Sequence, residues 1–325
     1  MREHIGYDRI RCAHGCNGPF EILRSISSRT LDRASVTIGR SNYGSIIRLG
    51  GNRISFHRST VFSLEAGRKI MERFMPVSDH SVALVTGAGA HRVGWHVAQA
   101  LADRGCSLAI HYRSSAREAA ETVAVLERRG VTASAFAADL RDEPAVKSLV
   151  SNALERFGKI DFLVHCAASW QPKLLETTTL ADLQDALATN LVASFLIAQH
   201  VGLAMTAQPE GGSIVLFGDW ACARPYPGYA AYFASKGSIE TLVRTFAVEL
   251  ARKNPHVRVN GVNPGPVMLP ENLPADEREE AIEGTLVKRE GSPQNVAQAV
   301  LALLENDFLT GTCLTVDGGR TIQSS

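Results

Sequence analysis

The sequence lacks a strong net charge, a long apolar run, an internal repeat and a paired-cysteine pattern. Its 34 Lys and Arg nearly balance 33 Asp and Glu, leaving +1 at neutral pH. That balance argues against a protein whose partner is nucleic acid or an anionic membrane surface. No apolar stretch reaches the roughly 18 residues a spanning helix needs, so no membrane partner is expected. Six cysteines (Cys12, Cys16, Cys106, Cys166, Cys222, Cys313) are scattered over 325 residues. Such spacing reads as free thiols in a reducing, cytoplasmic setting rather than a disulfide framework. Cys12-Ala-His-Gly-Cys16 offers three ligands and no second pair, short of the four that a structural zinc site takes, so no metal is expected. What remains is a chain that is 45% hydrophobic and 21% charged, enough to build a large core.

Charge is unevenly spread. Residues 1–74 hold twelve Arg and one Lys against six acidic residues, a surplus of seven; the rest holds 21 basic and 27 acidic residues. The first segment is rich in Arg and Ser and shows no clear periodicity. It admits three readings: a poorly ordered, irregular extension; an over-long start, because Met71 and Met75 precede the first convincing strand; or a targeting sequence. The domain boundary is placed at 74/75, and residues 75–325 form one domain.

From residue 80 strands and helices alternate. Strands are expected at 81–86, 107–112, 131–138, 160–165, 213–217, 257–262 and 313–317. Helices are expected from the Gly-rich turn through Leu101, at 116–129, 143–157, about 183–205, about 228–253 and 293–305. Apolar strands separated by helices predict an α/β fold, a doubly wound parallel sheet with helices on both faces. Ligands of such sheets sit at the carboxyl ends of the strands.

Thr86-Gly-Ala-Gly-Ala-His-Arg-Val-Gly94 joins the first strand to the first helix. Glycine there lets the backbone approach a pyrophosphate, and the helix N-terminus supplies free N–H groups. Gly87, Arg92, Val93 and Gly94 are the candidate phosphate contacts. The second strand ends in His111-Tyr112-Arg113-Ser114-Ser115, with no acidic residue to hold a ribose 2′-hydroxyl. Arg113 and Ser114 suit a 2′-phosphate instead, so the expected cofactor is NADPH. Asp139, before Leu140, either accepts from an adenine amino group or caps the next helix.

Tyr232 and Lys236 lie four apart, on one face of a helix. Asp219 follows a strand, thirteen positions before Tyr232. An ammonium beside a phenol favours the phenolate, making the tyrosine a better acid near neutral pH. The carboxylate tunes that pair or supplies a further proton.

Over residues 80–322 these motifs resemble the short-chain dehydrogenase/reductase family: the Gly-rich loop, Asn190, Tyr232-x-x-x-Lys236, Asn263-Pro-Gly265 and Val316-Asp-Gly-Gly319. The resemblance implies a Rossmann-like domain, a small-molecule substrate and a homo-oligomer, commonly a tetramer. It implies that Tyr232 donates a proton, that Lys236 holds the nicotinamide ribose and that Asn190 holds a helix and a water chain. It also places Tyr112, Leu140, Cys166, Ala167, Pro264 and Gly265 beside the cofactor. The family carries Ser where this chain has Asp219. That change, with Arg92, His111-Tyr-Arg-Ser-Ser115 and Ala168-Ser169-Trp170, resembles the pteridine reductase and dihydromonapterin (dihydrofolate) reductase branch. The branch resemblance implies hydride transfer to a C=N bond of a pterin or folate-like ring, with Trp170 stacking on it and Ser169 at the border between cofactor and substrate. The alternatives are a carbonyl reductase of the same family, acting on a 3-oxoacyl thioester or sugar ketone, and a non-catalytic NADPH-sensing protein. The fourth-strand segment His165-Cys-Ala-Ala168 departs from the family's usual Asn-Asn-Ala-Gly.

Overall fold

The structure, a computed structural model, describes residues 77–323 and the backbone of three strands before them. The chain divides into two units, Met1–Glu72 and Arg73–Ser325. In the first, β1 (Thr37–Ser41), β2 (Gly44–Leu49) and β3 (Asn52–His57) form an antiparallel sheet in that order. Thr37 pairs with Arg48, and Ile47 with Ile54. This part of the segment expected to be irregular is regular. Its signal was short: Arg53-Ile-Ser-Phe alternates polar and apolar over one brief strand. The Cys12–Cys16 cluster, Met71 and Met75 lie outside the described residues.

In the second unit β4 (Val82–Thr86) leads to α1 (Val93–Ala102), and β5 (Ser107–Tyr112) to α2 (Ala116–Arg128). β6 (Ala133–Ala137) and α3 (Glu143–Phe157) precede β7 (Phe162–His165). Next come α4 (Leu180–Ala186), a π-helical segment (Leu187–Val192) and α5 (Ala193–Thr206). β8 (Gly212–Phe217), α6 (Ala230–Lys236), α7 (Ile239–Ala251), β9 (Val257–Pro264), α8 (Ala275–Glu283), α9 (Pro293–Glu305) and β10 (Cys313–Val316) complete the unit.

The sheet has seven strands in the order β10-β9-β8-β7-β4-β5-β6, all parallel. The chain winds outward in both directions from the β4–β7 neighbours, which opens a crevice at their carboxyl ends. Alternate residues of each strand face opposite sides. Ala83, Val85, Ile110 and Val164 pack with Leu101 of α1 and Val300 of α9. Leu84, Ala109, Leu163 and Ile214 pack with Leu149 of α3, Ile197 of α5 and Phe246 of α7. Covering both faces removes each strand's side chains from water, at about 1.5–3 kcal/mol for a fully buried Leu or Ile.

Helix ends follow local chemistry. Asp142 accepts from Ala145 N–H to cap α3, and Gly158 closes the same helix at φ 80°. Ser292 and Asn295 form a capping box ahead of Pro293. The helix expected over about 228–253 is two helices, α6 and α7, separated at Gly237-Ser238. Helix α8 was not expected: it has no buried residue and therefore no apolar period to read. By length and composition alone, the helical run Leu180–Thr206 is long and apolar enough to cross a membrane, although polar residues such as Asn190, Gln199 and His200 interrupt it. Its second half is a core helix: Ile197, Ala198, Val201 and Met205 are fully buried on the sheet.

Candidate active site

β8 delivers Asp219 one residue beyond Gly218, and α6 carries Tyr232 and Lys236 on successive turns. The Tyr232 hydroxyl donates to Asp219 Oδ2 at 2.6 Å. The other oxygen, Oδ1, accepts from Ala221 N–H at 2.8 Å and caps the short 3-10 turn Trp220–Cys222. Burial raises the Asp219 pKa, against the pull of both hydrogen bonds and of Lys236. A carboxyl held there is more readily protonated than a surface one.

Tyr232 behaves otherwise than the sequence implied. Its pKa is pushed up, first by burial and then by the negative Asp219 that takes its hydrogen bond. Lys236 does not offset this, because its ammonium donates to Phe217 O at 2.6 Å and acts electrostatically on Asp219. Lys236 is 4% exposed, and burial lowers its pKa to about 8. In this arrangement the phenol is a held proton rather than a poised phenolate.

Asn190 sits in the π-helical segment, 1% exposed. Its Oδ1 accepts from Ser169 N–H at 2.9 Å, and its Nδ2 donates to Ser169 O and Ser235 Oγ, each at 3.0 Å. Ser235 in turn donates to Tyr232 O at 2.6 Å. One amide therefore ties the segment after β7 to the helix carrying Tyr232. Ser235, which sequence reasoning missed, was marked only by standing three positions after Tyr232, a helical neighbour.

The carboxyl ends of β4 to β7 bring the other predicted residues to one edge. Gly87, at φ 67°, lies so close to Cys166-Ala167 that an added Cβ would fall 2.9 Å from Ala167 Cα. A Cβ on Gly89 would meet Tyr112 Cβ and Ser115 Oγ at 2.8 Å, and one on Gly94 would meet Gly87 O at 2.8 Å. These glycines are required by the protein's own backbone, in addition to any approach of a phosphate. Gly265, after Pro264, likewise abuts Asp317. Beneath the turn, Thr86 Oγ1 accepts from Ala167 N–H at 3.2 Å and bonds His165 Nδ1 at 2.8 Å. His111 Nδ1 faces Gly87 N–H at 3.4 Å while its Nε2 bonds Ala138 O at 3.0 Å. Burial lowers the pKa of His111 to about 4 and of His165 to about 3, so both rings are neutral near pH 7.

The N-terminus of α1 has no capping side chain and no acidic residue in its first turn. The side chains of Arg92 and Arg113 are exposed, and among the described residues neither guanidinium makes a hydrogen bond or ion pair, although Arg113 acts electrostatically on Asp139. Free N–H groups flanked by unpaired guanidinium groups fit a phosphate-bearing dinucleotide. Val93, Tyr112, Ser114 and Leu140 border the same edge, Leu140 buried and Ser114 exposed. Of the two readings of Asp139 the helix cap is excluded: Asp142 takes that role, and the Asp139 carboxylate is gripped by Arg141 at 2.6 Å, which lowers its pKa to about 2. An adenine amino group would have to share that carboxylate with Arg141.

Trp170 is 41% exposed and stacks on Tyr229, with ring centroids 4.8 Å apart and planes 11° from parallel. Tyr229 also meets Tyr232 edge-on at 6.3 Å and Tyr226 at 5.2 Å. Tyr226 continues to Trp220 at 6.4 Å. The result is an aromatic wall beside the phenol, of which Trp170 alone is among the site residues expected from the sequence.

A glycine turn for a dinucleotide, with a phenol, carboxyl and ammonium at the mouth of a parallel sheet, defines a nicotinamide-dependent oxidoreductase. A family profile described as Enoyl-(Acyl carrier protein) reductase matches residues 87–321. The chain is 36% identical over 256 residues to the short-chain reductase protein NovJ of Streptomyces niveus, covering 75% of this chain and 95% of that one. It is 32% identical over 249 residues to hydroxynaphthalene reductase arp2 of Aspergillus fumigatus, covering 72% and 89%. Among solved structures, a dehydrogenase/reductase from Sinorhizobium meliloti 1021 superposes with a TM-score of 0.70 at 31% identity, covering 78% of this chain and 99% of that one. An acetoin dehydrogenase from Enterobacter cloacae gives 0.67 at 27%, covering 75% and 96%. The chain belongs to the short-chain dehydrogenase/reductase family.

Proposed function

We propose that this protein is an NADPH-dependent reductase that transfers hydride to a C=N bond of a pterin or folate-like ring. The observation that carries the reading is the 2.6 Å hydrogen bond from Tyr232 to a carboxylate where the family has a serine. A serine hydroxyl suits a ketone oxygen; a carboxyl accepts from the amidine-like N–H groups of a pterin and also stores a proton. The ring receives hydride at carbon and a proton at the adjacent nitrogen. The hydride is what the nicotinamide supplies when bound; the proton comes from Tyr232, which regains one through Asp219. Such general-acid help is worth about 10²–10⁴ in rate. The stacked Trp170–Tyr229 pair offers a flat apolar surface for a flat substrate.

A phosphorylated cofactor is supported by Arg113 and Arg92, whose exposed guanidinium groups stand where an acidic residue would repel a 2′-phosphate. Replacing Arg113 by Asp should lower the preference for NADPH over NADH at least about tenfold in kcat/KM. We further propose a homo-oligomer, with a tetramer as the family's common form. Val192, Phe195, Leu203 and Val248 expose apolar surface that a second copy would cover.

A panel of dihydrobiopterin, dihydrofolate and an acetoacetyl thioester, read by NADPH oxidation, tests the substrate class. The dihydropterin should be turned over, and Asp219→Ser should depress that activity more than about 100-fold while sparing any ketone activity. Turnover of the thioester alone would establish the second reading, a carbonyl reductase. The names of the hydroxynaphthalene reductase relatives favour that reading.

A further inference from the structure

The aromatic wall ends at Trp220, and a residue from the far end of the chain is seated on it. The Arg320 guanidinium lies 5.0 Å from the Trp220 ring centroid. Its Nη1 donates to Glu280 O at 3.0 Å and Ala281 O at 2.6 Å, carbonyls in the last turn of α8. A cation there also faces the negative end of the helix dipole. Gly284 leaves the room: a Cβ at that position would collide with Arg320 Nη1.

The Arg320 backbone is fixed independently. Asp317 Oδ1 accepts from Gly319 N–H at 2.9 Å, and Oδ2 from Thr321 N–H at 2.7 Å and Thr321 Oγ1 at 2.6 Å. Arg224, from the loop after Trp220, donates to Arg320 O at 3.2 Å and Gln323 O at 2.6 Å. Glu277 of α8 also acts electrostatically on Tyr229, raising its pKa after burial has done so. Arg320 touches neither Asp219 nor Tyr232.

We infer that Arg320 is a positioning residue for substrate: it locks Trp220 to the last turn of α8, so that helix and aromatic wall form one fixed surface for a flat ring. The inference rests on Asp219 and Tyr232 marking the catalytic centre, as proposed above.

Arg320→Ala, Arg320→Lys and Gly284→Ala test it, the last expelling the guanidinium while leaving the arginine in the chain. Gly284 has φ −68° and ψ −7°, which alanine adopts without strain. With whichever panel substrate is turned over, Arg320→Ala and Gly284→Ala should raise KM at least about fivefold with kcat within about twofold, and Arg320→Lys should recover part of the loss. The pH profile of kcat should not move. Trp220 emission, isolated by subtracting the Trp220→Phe spectrum in each background, should shift to the red in both disruptive variants. If Arg320→Ala fails to fold, Gly284→Ala carries the test alone. A lowered melting temperature with KM unchanged would overturn the inference, as would a fall in kcat at constant KM or an unmoved Trp220 emission. If no panel substrate is turned over, the proposed function fails, while Trp220 emission still decides whether the latch exists.

Discussion

Lys236 should make the protein more stable in mild alkali, in a way one substitution removes. Its ammonium is 4% exposed and its pKa is lowered from 10.5 to about 8, with burial the leading cause. The unfolded chain keeps this proton up to about pH 10.5, whereas the folded chain releases it near 8. Between those values the unfolded state binds more protons, so folding stability rises with pH through the window. The shift from 10.5 to about 8, at about 1.4 kcal/mol per unit, corresponds to roughly 3 kcal/mol. Other groups oppose it: Cys222 and Cys313 are raised to about 11 and Cys106 to about 12, so their thiols weaken folding as pH climbs. Lys236→Met, similar in length and uncharged, keeps those thiols, so Cys106 and Cys313 cancel in a difference, while Cys222, which the ammonium also pulls down, changes with it. Urea unfolding of both proteins from pH 7 to 10.5 should show the variant's stability relative to the native chain falling by roughly 3 kcal/mol across the window. A difference flat to within about 0.5 kcal/mol would refute the claim that the buried ammonium is strained by desolvation.

Gly87→Ala should cost about 2–3 kcal/mol, because φ 67° disfavours alanine and its Cβ would lie 2.9 Å from immovable backbone at Ala167. Thermal melting and cofactor titration should both register it; an unchanged melting temperature would mean that the turn relaxes freely. Asn190→Ala removes three hydrogen bonds that join Ser169 and Ser235, with an expected loss of about 2–4 kcal/mol. Asn190→Asp, which buries a carboxylate and sets one of its oxygens against Ser169 O, should lower the melting temperature at least as much as the alanine variant.

The strands of the sheet were legible because parallel strands buried on both sides are nearly all apolar, as in Val82–Val85 and Phe162–Val164. The Asp219–Tyr232 contact was legible because a strand end and a helix face are positions that spacing can specify. Spacing said nothing about where the Lys236 ammonium points, since its Phe217 partner is a backbone oxygen. Nor did it assign Asp139, because the choice between two carboxylates three residues apart depends on which one Arg141 grips. The tie between Arg320 and Trp220 spans 100 positions and joins common residue types, a pairing that only the folded chain defines.

The π-helical segment at Leu187–Val192 carries an insertion's worth of backbone inside an otherwise α-helical run. Every residue of α5 beyond it keeps the phase that an unbroken α-helix of one residue fewer would give, and lags an α-helix of equal length by about 100°. Deleting a single position there would let the run close as an ordinary α-helix with Ile197 and Val201 still on the sheet, whereas straightening it at full length would swing them out of the core. A lost residue here would therefore spare the packing of α5 and fall instead on the bulge that sets Asn190 against Ser169 and Ser235.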